Sequence, residues 1–188
     1  GGRNTITPPL TVAMALFQGL LVAAAWLFGL RRYGAPWSTL GLVRARLRWL
    51  IPIPLVAVTV SFVFTAIYVL LIKSVGIESM LPSQIPDGAT GEGPEKIINI
   101  VVIGLIGPFT EEVFFRGFLL AALVTSLGLW RGAIVSSALF AFIHLDIAVM
   151  IPIFITGLVL AWMYLKTGSI WPPLIAHSTQ NLIVLSVR

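Results

Sequence analysis

Glu111-Glu112-Val113-Phe114-Phe115-Arg116 sets three ionisable side chains inside a stretch otherwise apolar enough to cross a bilayer. A charge at the bilayer centre costs at least roughly 2.5–3.5 kcal/mol, so these groups need a compensating role: a buried ion pair, an ion or proton pathway, or catalysis. His144 and His177, the two histidines of the chain, and Asn181 add polar groups in later apolar segments. Residues four apart share a helix face, which puts Glu112 with Arg116, Phe140 with His144, and His177 with Asn181. Glu111 projects about 100° away from Glu112. Glu112 is therefore expected to pair with Arg116 and to leave Glu111 facing something else.

The nucleophile narrows by elimination. Cysteine is absent, as are a Gly-x-Ser-x-Gly elbow and the His-Glu-x-x-His zinc signature. The two aspartates, Asp87 and Asp146, fall in loops and do not form a catalytic pair. What remains is a carboxylate base beside imidazoles. Glu111 with His144 can orient and deprotonate a water, and His177 with Asn181 can donate to the oxyanion of a tetrahedral intermediate. Peptide hydrolysis needs that set and little more. Taken singly, each group has a bland role: a structural Glu-Arg pair, a helix–helix hydrogen bond from a histidine, or packing by Asn181.

The elements that must position these groups are membrane helices. The chain has 188 residues, 58% hydrophobic and only 10% charged, against about 25% charged in soluble domains. The spans expected are 10–30, 49–72, 97–126, 131–145, 147–165 and 171–187, an all-α polytopic bundle of about six membrane helices around a buried polar site. The arginines follow the first apolar run, so it reads as a retained helix and not as a signal peptide. Gly1-Gly2 reads as a cloning remnant. A loop over 73–96, rich in Pro and Gly, separates two N-terminal helices (1–96) from a C-terminal core (97–188) within one integrated domain.

The net charge of +5 is not a nucleic-acid signal, because five of the twelve basic residues (Arg31, Arg32, Arg44, Arg46, Arg48) fall in one inter-helix segment. By the positive-inside rule this segment faces the cytoplasm and the acidic loop 73–96 faces out. The turns near Gly128–Arg131 and Lys166–Gly168 then face in, while Asp146 and both termini face out. Counted from the inner helix ends, Glu111, His144 and His177 lie fifteen, thirteen and eleven residues deep, or roughly 16–22 Å at 1.5 Å per residue. Three segments thus deliver their polar groups to one layer. No internal repeat is present, which weighs against transporters built from duplicated halves. The rival classes are a proton- or ion-coupled transporter and a non-enzymatic immunity or scaffold protein.

The ordered set Glu111-Glu112-x-x-x-Arg116, Phe140-x-x-x-His144 and His177-x-x-x-Asn181 resembles the three motifs of the CPBP (Abi, or CAAX-protease and bacteriocin-processing) family of intramembrane proteases. The flanks agree: Gly107-Pro108, Phe115-Arg116-Gly117, and Thr167-Gly168-Ser169-Ile170-Trp171 leading to Ala176-His177. The resemblance covers residues 97–188 without departure from the pattern, and the first two helices match only as apolar spans. It implies a multi-pass enzyme of a prokaryotic cytoplasmic membrane that cleaves a membrane-anchored peptide, lipidated or bearing a C-terminal sorting signal. It also implies Glu111 and His144 as the water-activating pair, His177 and Asn181 as oxyanion donors, and Glu112 and Arg116 as supports. Two versions of the mechanism remain open. One needs no cofactor; in the other Glu111, His144 and His177 ligate Zn2+ with a fourth position for water. The metal-free version is the reading preferred.

Overall fold

The computed structural model describes residues 8–82 and 91–186. Gly1-Gly2, both chain ends, and Pro86, Asp87 and Gly88 of the polar loop lie outside the described residues. Six helices follow one another, with no strand among the described residues: α1 (Pro9–Arg31), α2 (Leu47–Val75), α3 (Gly93–Leu127), α4 (Leu129–Phe142), α5 (Ile147–Thr167) and α6 (Trp171–Ser186). The chain is an all-α polytopic bundle of an integral membrane protein. Large apolar side chains such as Leu16, Leu20, Leu55 and Leu70 are exposed on α1 and α2, the pattern of helices whose outer faces meet lipid.

Four helices, α1, α2, α3 and α5, are long and apolar enough to cross a membrane. The other two are short: α4 has 14 residues and α6 has 16, or about 21 and 24 Å, below the roughly 30 Å of a hydrocarbon core. Helix ends follow local chemistry. Pro52 opens the long part of α2 and Pro94 the first turn of α3, where a missing N–H costs nothing. The Asp146 carboxylate accepts from Ala148 N at 2.9 Å and caps α5.

That cap shortens the fourth helix relative to the expected 131–145. Helix α4 ends at Phe142, and His144 lies in the turn behind it, exposed. Leu145 takes a left-handed conformation, φ 53°, so that the chain can reverse and reach the cap. His144 is therefore a turn residue, a correction to its placement on the helix.

Small residues set the helix spacings. A Cβ on Gly132 would come within 2.8 Å of Val124 N, so α3 and α4 touch backbone to backbone. A Cβ on Gly157 of α5 would meet Ser137 and Phe140 of α4 at 3.0 and 3.3 Å, and one on Gly104 of α3 would meet Leu182 of α6 at 2.6 Å. One apolar core joins Leu30 and Leu40 to Val113, Leu120, Ala161 and Ile170. A second joins Ala57 and Val58 of α2 to Leu160, Met163 and Ala176. The basic inter-helix segment docks on the α5–α6 turn, where Ile170 N donates to Gly41 O at 3.0 Å and Ser169 Oγ to Val43 O at 2.8 Å. These two segments share one end of the bundle, as the reading of the loops requires.

Candidate active site

The acids sit on a short α-helical stretch of α3, Gly107–Glu112, bracketed by π-helical stretches at Val102–Ile106 and Val113–Leu120. Pro108 has no N–H and cannot close the turn below it, which accounts for the widened stretch on that side. Widened turns of this kind shift helix phase and recur at functional sites.

Glu112 is wholly buried, with an ion-pair contact but no hydrogen bond at Oε2 among the described residues. Its Oε2 lies 3.3 Å from Arg116 Nε, and its Oε1 accepts a hydrogen bond from His177 Nδ1 at 2.9 Å. Arg116, 1% exposed, stacks its guanidinium 4.4 Å above the Phe140 ring and reaches the Gly157 carbonyl from Nη2 at 3.4 Å. Its Nη1 makes no hydrogen bond among the described residues. Breaking this pair would strand a charge in a dry interior.

Glu111 faces a different quarter. Its Oε2 stands 3.8 Å from His177 Nε2, beyond hydrogen-bond reach. Because His177 donates from Nδ1 to Glu112, its Nε2 is left to face the Glu111 carboxylate, the way a carboxylate orients an imidazole in other sites. Asn181, one turn beyond His177, donates from Nδ2 to the Ile103 carbonyl at 3.0 Å. That bond ties α6 to the first π-helical stretch of α3 and uses one of the two amide protons.

His144, in the turn behind α4, is held by that helix, with Nδ1 on the Phe140 carbonyl at 2.8 Å. Donation there leaves Nε2 as the free nitrogen, and Glu111, His177 and Arg116 all act on His144 electrostatically. Phe140 organises the group. Its buried ring meets His144 edge-on at 5.0 Å, His177 at 5.6 Å and Phe115 at 5.2 Å. Phe140 thus gathers Arg116, His144 and His177, while His177 also bonds Glu112 and stands 3.8 Å from Glu111.

One polar residue at the centre was missed. Gln18 of α1 is buried and donates from Nε2 to Glu111 Oε1 at 2.9 Å, while its carbonyl end meets the Thr110 hydroxyl. Helix α1 is the apolar span expected, and Gln18 adds a polar contact to it. The signal was in view, since Thr11 and Gln18 are the polar side chains of an otherwise apolar 10–30. Thr11 also reaches α3, at Asn99 Oδ1, 2.6 Å away.

The residue types suit Zn2+, but their placement does not gather a three-ligand site: no cluster of three His, Asp or Glu side chains fit to hold a metal occurs among the described residues. Glu111 and His177 approach each other, and His144 would have to be drawn in to complete a set.

With this geometry in place, comparison with known proteins is informative. A profile of type II CAAX prenyl endopeptidases, Rce1-like, matches residues 93–183. That span holds both acids, Arg116, both histidines and Asn181. Residues 93–183 are thus similar to the Rce1-like type II CAAX prenyl endopeptidases. The chain is 30% identical over 91 residues to the Bacillus subtilis protein named "Putative membrane peptidase YdiL", covering 48% of this chain and 37% of that protein. It is 25% identical over 171 residues to protein YxdF of Lactococcus lactis, covering 90% of each. An uncharacterized 24.3 kDa protein of Escherichia coli is 26% identical over 89 residues, 45% of this chain and 41% of that protein. The chain therefore spans about two-fifths of two of these relatives and nearly all of the third. No solved structure matches the chain.

Proposed function

We propose that this protein is an intramembrane endopeptidase that hydrolyses a peptide bond of a membrane-anchored substrate. One observation carries the reading: Glu111 is hydrogen-bonded at Oε1 and keeps Oε2 free of hydrogen bonds among the described residues, beside the His177 imidazole. Glu111, with His144 Nε2, holds a water and takes its proton as the water oxygen bonds the scissile carbonyl carbon. The carbonyl oxygen then carries the negative charge. His177 and the second amide proton of Asn181 stabilise it, His177 doing so from Nε2 in its doubly protonated form. Collapse breaks the C–N bond, and the proton held by Glu111 leaves with the amine, giving a carboxylic acid, which ionises, and an amine. Glu112 and Arg116 fix the His177 ring and the α3 turn.

The Rce1-like match supports a membrane-associated peptide as the substrate class, prenylated at its C-terminus by analogy with that family's description. The bacterial relatives support a prokaryotic cytoplasmic membrane as the setting. We favour the cofactor-free version, in which Glu111 and His144 activate the water directly.

Mass-spectrometric mapping of products from liposome-anchored peptides, prenylated and not, tests this reading, with and without a zinc chelator. Products that survive chelation and vanish in Glu111→Gln are expected. Loss on chelation with recovery on added Zn2+ would overturn the cofactor-free version. Ion flux in liposomes without peptide products would favour a transporter.

A further inference from the structure

A side-chain amide within a membrane bundle is costly unless both of its ends are hydrogen-bonded. Gln18 meets that condition wholly on α3. It is 6% exposed; Nε2 donates to Glu111 Oε1 at 2.9 Å, and Oε1 lies against the Thr110 hydroxyl. The amide can face only one way. A carboxylate accepts and never donates, so the NH2 end belongs to Glu111 and the carbonyl end to Thr110. Gly107, one turn before Glu111, lies beside the contact: a Cβ there would be in ordinary van der Waals contact with Gln18 Nε2 at 3.4 Å and Glu111 Oε1 at 3.7 Å.

This contact makes the two oxygens of Glu111 unequal. Oε1 is held by α1, and Oε2 is the one turned to His177. The terminal carboxylate torsion of glutamate is broad and two-fold, so nothing within the side chain itself selects this orientation.

We propose that Gln18 is a positioning residue that fixes the Glu111 carboxylate so that Oε2 alone serves the reaction, which makes α1 part of the catalytic apparatus. The inference rests on the reading of Glu111 as the base.

The test uses the full chain in liposomes and a peptide that the wild type cleaves. Gln18→Met keeps the length and volume of the side chain and removes both hydrogen bonds. It is expected to lower kcat by about 10- to 100-fold, the cost of a misplaced reacting group, with KM within about two-fold. In the Glu111→Gln background the same change is expected to cost nothing further, because Gln18 acts through Glu111. Thr110→Val frees the far end of the amide and is expected to give a smaller kcat loss in the same direction, so the test does not hang on one variant folding. Wild-type kcat in both variants, or an equal loss with and without the Glu111 carboxylate, would overturn the proposal. An active Glu111→Gln would instead overturn the base assignment itself, a result visible without any change at Gln18.

Discussion

Among single residues, the two adjacent acids divide the labour and should separate on substitution. Glu111 is partly open and held at one oxygen, whereas Glu112 is wholly buried between Arg116 and His177. Arg116→Ala leaves the Glu112 charge without its cation and is expected to destabilise the fold by about 3–5 kcal/mol, read as a large fall in thermal unfolding temperature in detergent. Glu112→Ala should behave alike and also free the His177 ring. The acids, Arg116, His177 and Asn181 were legible because an ionisable group in lipid demands a partner and helical spacing names one. Gln18 was not, because a neutral amide in an apolar run has no partner at helical spacing and its ligand lies 93 residues away.

At the level of elements, the site depends on where α4 stops and how closely α3 is approached. Asp146→Ala removes the cap of α5 and is expected to cost about 1 kcal/mol, with a further loss of activity because His144 sits two residues before it; a thermal melt beside a cleavage assay checks both. Gly132→Ala is expected to be worse, about 1–3 kcal/mol, since its Cβ would strike the backbone at Val124 and Leu123 and neither can rotate away. Gly104→Ala meets a leucine side chain at a similar distance and should be better tolerated. Phe140-x-x-x-His144 spells a helical face in sequence, and the cap that ends the helix early is a single aspartate before an apolar run. The aspartate signal was present, but it competed with a continuous apolar pattern. The π-helical stretches of α3 left no periodicity to read apart from Pro108.

Across the whole molecule, Thr11 and Gln18 of α1 bond α3, and Gly41 and Val43 accept from the α5–α6 turn. The fold class was legible from composition and span length alone. The shortness of α4 and α6 was not, because apolar length in sequence does not say where a turn will be capped. The chain has no cysteine, so single Arg44→Cys and Glu92→Cys variants report orientation directly. An impermeant maleimide added to intact cells is expected to label the second and spare the first, and the reverse would invert the topology. The central claim, that Glu111 does chemistry while its neighbour holds the fold, is tested most directly by measuring thermal unfolding and peptide cleavage together in Glu111→Gln. The account predicts an unfolding temperature within a few degrees of the wild type and cleavage reduced by about 100-fold or more. Cleavage at the wild-type rate by a stably folded Glu111→Gln would contradict it.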